Sequence, residues 1–171
     1  MTGVGNLLAT CLLLCGQASP SADQHGIGPG QRPIKIEGLL TGPAGFISVR
    51  NTSAAPVDLG GWSMRYCSGQ AFGELAAIPP GAVVPAGGQY LIAGLDFAGT
   101  VQQDLTVAAV VGTGAMFVDS GRSRVDSVGL VPDSPCREGS ATIPCGVWPV
   151  GRDELARDTD DNLVDFSCRL D

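Results

Sequence analysis

Between Phe46 and Tyr66 the chain reads FISVRNTSAAPVDLGGWSMRY, and no other stretch constrains the fold as much. Phe46, Ser48 and Arg50 alternate with Ile47, Val49 and Asn51. That period of two sends successive side chains to opposite faces of a strand. Asn51-Thr52-Ser53-Ala54-Ala55-Pro56 follows. Asn and Ser bond their own backbone and Pro presets φ, so the chain turns there. Val57 and Leu59 resume the alternation, Gly60-Gly61 allows a bend or bulge, and Trp62, Met64 and Tyr66 continue on every second residue. The stretch predicts a β-hairpin that delivers Trp62 into a core between two sheets.

Short apolar runs separated by turn residues recur along the chain. With 25 Gly and 12 Pro in 171 residues and few windows suited to a long helix, they favour an all-β class. This length suits one domain plus a leader, and such a domain can bury a substantial core. The formal net charge of −7 argues against nucleic-acid binding, which needs basic surface along the phosphates.

The first residues read as a leader. Leu7 to Leu14 (LLATCLLL) has the length of a signal-peptide apolar region and is too short for a membrane span. Gly16-Gln17-Ala18 supplies a small-residue exit, with cleavage expected after Ala18, although no Lys or Arg precedes Arg32 to make the usual positive flank. The expected division is a signal peptide over 1–18, a Gly/Pro-rich linker over 19–32 and one domain over 33–171. Secretion is the first expectation. Lipid anchoring at the cell surface through Cys11 or Cys15 is the second, since Thr10 and Leu14 are poor residues to precede a lipid-modified Cys. His25, the single histidine, lies in the linker and cannot anchor a triad in a rigid site.

Beyond the leader stand Cys67, Cys136, Cys145 and Cys168, an even set that suggests disulfides in an exported domain, with three pairings open. The expected pairing is Cys136 with Cys145, closing a local loop, and Cys67 with Cys168, tying the C-terminus to the central hairpin. No C-x-x-C pair is present, which argues against zinc.

Other elements follow the same logic. Ile34 to Leu39 alternates as a first strand, Leu75 to Ile78 is a short strand after a polar loop, and Tyr90-Leu91-Ile92-Ala93 is a buried strand bounded by turns. Leu105 to Val111 is read as a strand from its β-branched residues. Ala115–Val118 and Val125–Leu130 flank Asp119-Ser120-Gly121-Arg122, a hairpin turn. Pro132 to Pro149 is an irregular excursion of a length that is either functional or stapled, and Cys136 and Cys145 suggest stapled. Trp62 stands between Leu59 and Met64 at strand spacing, so it reads as core rather than as a sugar platform.

Near the end, Asp158, Asp160, Asn162 and Asp165 offer hard oxygen ligands close together, a candidate calcium site. Leu163 and the absence of a closing Glu break the match to an EF-hand loop. The plainer reading is that these side chains cap turns, with Arg152 or Arg157 paired to carboxylates and Phe166 packed inside. Asp158 and Asp165 could serve a small hydrolase only from a cleft that raised one pKa, and an acid-crowded loop gives no sign of that.

Taken in order, FISVRNTSAAPVDLGGWSM (Phe46 to Met64), IPPGAVVPAGGQYLIAG (Ile78 to Gly94), MFVDSGRSRVDSVGL (Met116 to Leu130) and DTDDNLVDF (Asp158 to Phe166) resemble the lamin tail domain family, in particular its secreted bacterial members. The resemblance spans about Ile34 to Cys168. It implies an immunoglobulin-like, Greek-key β-sandwich, here stapled by disulfides, with Trp62, Tyr90 and Phe166 in the core. It places Asn51, Gly81 and Gly87 in turns, Gly61 in the tryptophan hairpin, and the Asp158–Phe166 residues in the closing motif. The implied function is a non-catalytic module that binds or tethers a protein or polysaccharide at the cell envelope, a hydrolase being one such partner, without a cofactor. A calcium-dependent adhesion module is the alternative, and a small extracellular hydrolase stands behind both. The Cys136–Cys145 insertion and the Cys67/Cys168 pair are not features of the family's core.

Overall fold

The computed structural model describes residues 32–170. The expected signal peptide, nearly all of the linker, His25, Cys11, Cys15 and Asp171 lie outside the described residues. Twelve strands run in chain order: β1 (Ile34–Leu40), β2 (Phe46–Asn51), β3 (Val57–Asp58), β4 (Ser63–Ser68), β5 (Ala71–Ala77), β6 (Val83–Val84), β7 (Gln89–Gly94), β8 (Leu105–Val107), β9 (Gly114–Val118), β10 (Arg124–Gly129), β11 (Val150–Gly151) and β12 (Ser167–Cys168), with a single helical turn α1 (Asn162–Asp165) before the last. They form a six-stranded sheet in the order β12-β11-β1-β2-β7-β8, a four-stranded sheet in the order β10-β9-β4-β5, and the pair β3-β6. Every pairing is antiparallel except that of β7 with β8.

Alternation decides which side chains meet between the sheets. In β2, Ile47, Val49 and Asn51 are buried while Phe46, Ser48 and Arg50 stay half-buried on the other face. One hydrophobic cluster joins Ile34, Ile36, Ile47, Val49 and Ile92 of the six-stranded sheet to Met64, Ala115, Phe117 and Val128 of the four-stranded sheet. Tyr90 and Phe166 belong to the same cluster. Trp62 is only partly buried against it, its ring centroid 5.3 Å from that of Phe117.

The stretch that dominates the sequence is not a hairpin. β2 pairs with β1 and β7, whereas β4 pairs with β5 and β9, so Phe46 to Tyr66 crosses from one sheet to the other. Asn51 makes the crossing possible. Fully buried, it donates from Nδ2 to Ala55 O (2.7 Å) and Val84 O (3.1 Å) and accepts the Ser53 amide (3.0 Å), which ties the turn to β6. Gly61, at φ 78°, then turns the chain into β4, a conformation that a side chain would strain. Alternation continues across this break, which is why the sequence reads as a hairpin.

Elsewhere the turns fall where expected and strand lengths differ. β9 and β10 form the predicted hairpin, closed by Asp119 and Ser123, with Arg122 at φ 66°. β5 begins at Ala71, inside the segment expected to be a polar loop, and only Leu105–Val107 of the Leu105–Val111 run is strand. Val110 instead bridges Gly42.

The excursion after β10 is stapled, but not as expected. Cys67 bonds Cys136 and Cys145 bonds Cys168, with Cα separations of 5.9 and 5.4 Å. The expected Cys136–Cys145 and Cys67–Cys168 pairs are therefore corrected. Nearness in sequence suggested a local loop. In space, Cys67 at the end of β4 faces the excursion, while Cys145 lies near the β11–β12 pairing, where Val150 opposes Cys168.

Candidate functional site

Two arrangements gather polar chemistry: a buried network around Arg152 and an open groove on the outer face of the six-stranded sheet.

Arg152 follows β11 and has no exposed side-chain surface. Its Nε donates to Ile36 O (3.0 Å), Nη1 to Arg157 O (2.7 Å) and Nη2 to Asp126 Oδ1 (2.9 Å). Nη1 also lies 2.9 Å from Asp165 Oδ2, and the guanidinium carbon sits 4.4 Å from the centre of the Phe166 ring. A planar group with five donors in a fixed fork can satisfy so many acceptors at once, which an ammonium cannot. Lys35, buried despite its charge, bonds Asp158. Around them Asp126, Glu138 and Asp158 each place one carboxylate oxygen within 4.8 Å of the others.

That trio has the donor chemistry of a cation site, but a guanidinium already stands among its oxygens. Arg152 Nη2 is 2.9 Å from Asp126, 3.5 Å from Asp158 and 4.0 Å from Glu138. The buried side-chain nitrogen or oxygen atoms without a hydrogen-bond partner among the described residues are Arg65 Nε and Ser127 Oγ, so the network leaves none of its own buried atoms unpaired.

The acids differ in how well they are compensated. Burial lifts the Glu138 carboxyl to about 7, and repulsion from Asp126 and Asp158 adds to it, because Arg124 and Arg152 approach only to 3.9 and 4.0 Å. Burial also lifts Asp126 to about 6, against the pull of Arg152 and the Ile36 amide. At Asp158 burial acts upward too, but the Lys35 bond and the Arg152 charge outweigh it and hold the carboxyl below its ordinary value. Burial would lower the Arg152 pKa, yet the surrounding carboxylates raise it, so the guanidinium stays charged.

Of the four residues expected to offer calcium ligands, Asp158, Asn162 and Asp165 are engaged by other groups of the chain. Asp158 binds Lys35, and Asp165 binds Arg152 and accepts the Thr159 amide and hydroxyl. Asn162, fully buried, accepts the amides of Gly129 (2.8 Å) and Glu138 (3.0 Å) and donates to Ser127 O (3.0 Å). Asp160 is exposed in a left-handed turn at φ 57°. The closing motif thus sews the C-terminal segment to β10 and to the stapled excursion.

The outer face of the six-stranded sheet is organised in rows by strand register. Leu40, Phe46 and Ala93 oppose one another across β1, β2 and β7. The next row is Gly151, Gly38, Ser48 and Leu91, and beyond it Arg50 opposes Gln89. Glu37 ties the polar row together, accepting from Arg50 Nη1 (2.9 Å) and from Gln89 Nε2. Phe46 packs edge-on against Phe97, with centroids 5.8 Å apart. A cavity of about 440 Å³ opens over part of this face, bordered by Glu37, Gly38, Phe46, Ser48, Arg50 and Gly151, with Asp153, Glu154 and Arg169 adding to its charged lining. The readings of the sequence above did not single out this face. Gly38 and Gly151, glycines inside strands, were the available signal.

Fold and groove together define a disulfide-tied, mostly β-sheet protein with an open polar trough and a closed ionic interior. No family model matches the chain, and no curated protein matches it.

Proposed function

We propose that this chain is a secreted, non-catalytic interaction module of the immunoglobulin-like, lamin-tail type, which holds a protein or polysaccharide at the cell envelope. The observation that carries this reading is the division of its polar groups. The strongly perturbed carboxyls are buried around one arginine, while the groove presents Glu37 already bonded to Arg50. Acid–base catalysis needs an acid and a base converging on substrate. Asp158 and Asp165 instead converge on Arg152, which suits a scaffold rather than a hydrolase. No helix among the described residues is long and apolar enough to cross a membrane, and both disulfides suit an oxidising compartment.

The test is affinity capture from envelope extracts with the immobilised domain, with and without calcium. Specific, calcium-independent retention of an envelope component is the expected result. Absence of any retained component overturns the reading. A rise in melting temperature on calcium titration would favour the adhesion alternative at Asp158–Asp165.

A further inference from the structure

The two disulfides stand in opposite surroundings. Cys67 and Cys136 have no exposed surface, so an external thiol reaches their sulfurs only when the chain opens around them. Cys145 and Cys168 are each half-buried, and Cys145 lines a cavity of about 180 Å³ together with Ile143, Pro144 and Trp148. Disulfides exchange by attack of a thiolate on sulfur, so access decides which of the two bonds a reductant opens first.

What the accessible bond holds is small. β12 meets β11 through two residue pairs, Val150 with Cys168 and Gly151 with Ser167, and the Arg169 amide adds a bond to Pro149 O (2.8 Å). A ladder so short gives little hold by itself. Both flanks have separate anchors. On one side Asp165 is paired with Arg152 and Phe166 lies in the core; on the other, Val150 and Gly151 pair with Leu39 and Gly38 of β1. Loss of the bond therefore frees residues 143–149 and 167–170 and stops there. Arg169 gives that release a consequence. A Cβ at residue 151 would stand 2.7 Å from Arg169 Nε, so this side chain lies over Gly151 and lines the cavity on the outer face of the six-stranded sheet. Release of β12 takes it away and bares the Gly151 end of that cavity.

We propose that Cys145–Cys168 is a thiol–disulfide exchange site, opened by a dithiol reductant, and that opening it unlatches β12 from β11 while Cys67–Cys136 keeps the rest of the domain closed. In the first step a thiolate of the reductant attacks Cys145 Sγ, the bond to Cys168 breaks, and Cys168 leaves as a thiolate that takes a proton from water. The reductant's second thiol, as its thiolate, then attacks the reductant sulfur of the mixed disulfide and expels the Cys145 thiolate, which is protonated in turn. The cysteine pair gains two electrons and two protons, and the dithiol is oxidised to its own disulfide. Neither step depends on what the domain binds.

The experiment treats the oxidised, folded chain with increasing dithiothreitol, quenches with iodoacetamide and locates the labelled cysteines by peptide mapping. Cys145 and Cys168 should be labelled together, roughly tenfold or more faster than Cys67 and Cys136, which should follow only when urea unfolds the chain. Hydrogen exchange on the chain with this one bond reduced should show the Trp148 and Arg169 amides losing protection, while β2, β4 and β9 keep theirs. The Cys145→Ser, Cys168→Ser double variant, its melting curve and remaining disulfide checked, should exchange like the reduced chain with no reductant present. Equal labelling of the two pairs, or earlier labelling of Cys67 and Cys136, overturns the exchange site. Selective reduction that leaves the Arg169 amide as protected as before overturns the latch, and it does so even where the double variant fails to fold.

Discussion

Residues 34–130 and residues 131–170 are ordered by different physics. The first region is laid down in ten strands whose ladders satisfy the backbone and whose alternating side chains fill one apolar cluster. The second has two strands of two residues and a single helical turn, yet it buries Cys136, Arg152, Asn162 and Phe166 about as deeply as the strand core. Its order comes from two disulfides, one arginine and one asparagine. An apolar core tolerates volume-conserving repacking, whereas a buried polar network fails when any one partner is removed. The closing segment should therefore be the more brittle of the two regions.

Arg152 is the sharpest way to expose that difference. Arg152→Met keeps an apolar stem but leaves Asp126 and Asp165 without their cation, and such a break in a buried pair costs about 3–5 kcal/mol. Chemical denaturation of the variant should show a loss of that size. Arg152→Lys should recover little of it, because one ammonium cannot reach Ile36 O, Arg157 O and both carboxylates. A loss below 1 kcal/mol would show that the sheets alone hold the closing segment in place.

The disulfides come next. Cys67–Cys136 closes a span of 69 residues and joins the two regions, while Cys145–Cys168 closes 23 within the second. Chain entropy gives roughly 4 kcal/mol for the longer loop and about 3 for the shorter. Replacing each pair by serines should thus lower stability in that order. The reverse order would mean that the Cys67 tether adds little to contacts already made across the two regions.

These two regions were also unequally legible in the sequence. Strand positions in the first follow from alternation and turn residues, and the buried and open faces of β2 could be assigned from FISVRN alone. Sheet membership could not, because alternation is unchanged when a chain passes from one sheet to another, as it does between Asn51 and Ser63. The acidic closing motif was visible as a cluster of oxygens, but its partners Lys35, Asp126 and Glu138 are distant in sequence and carry no local pattern. Disulfide pairing failed for the same reason. It depends on which loops meet in space, and proximity along the chain is a poor guide to that.

Protonation separates the regions by a further, smaller effect. Glu138 is lifted to about 7, above its ordinary 4.5, so the folded state binds its proton more tightly than the unfolded chain does. Stability from this group is then greatest below about pH 4.5 and declines as pH rises through 7, the unfolded chain losing its proton first. Asp126, lifted to about 6 from 3.8, acts in the same direction over a lower window. Asp158, held below its ordinary value, acts oppositely and stabilises only above that value. The melting temperature should fall between pH 5 and 8, by an amount on the order of 2 kcal/mol in stability. Glu138→Gln should flatten the fall while keeping the amide contact with Asn162. A profile as steep in that variant as in the parent would place the titration elsewhere.

The smallest effect tests whether burial, rather than the ion pair itself, makes the closing segment depend on arginine. Arg157 lies five residues beyond Arg152 and also pairs with a carboxylate, its Nε 2.6 Å from Asp153 Oδ2, but 74% of its side chain is exposed. Water screens that pair, and ordering two mobile side chains offsets most of its attraction, so such contacts contribute about 0–1 kcal/mol. Arg157→Ala should change stability by no more than that, because what the network takes from this residue is its backbone carbonyl, which accepts from Arg152 and survives the substitution. A loss near that of Arg152→Met would show that the turn from Asp153 to Arg157 aims that carbonyl through its surface pair. The brittleness of the region would then reach the surface instead of ending at the buried guanidinium.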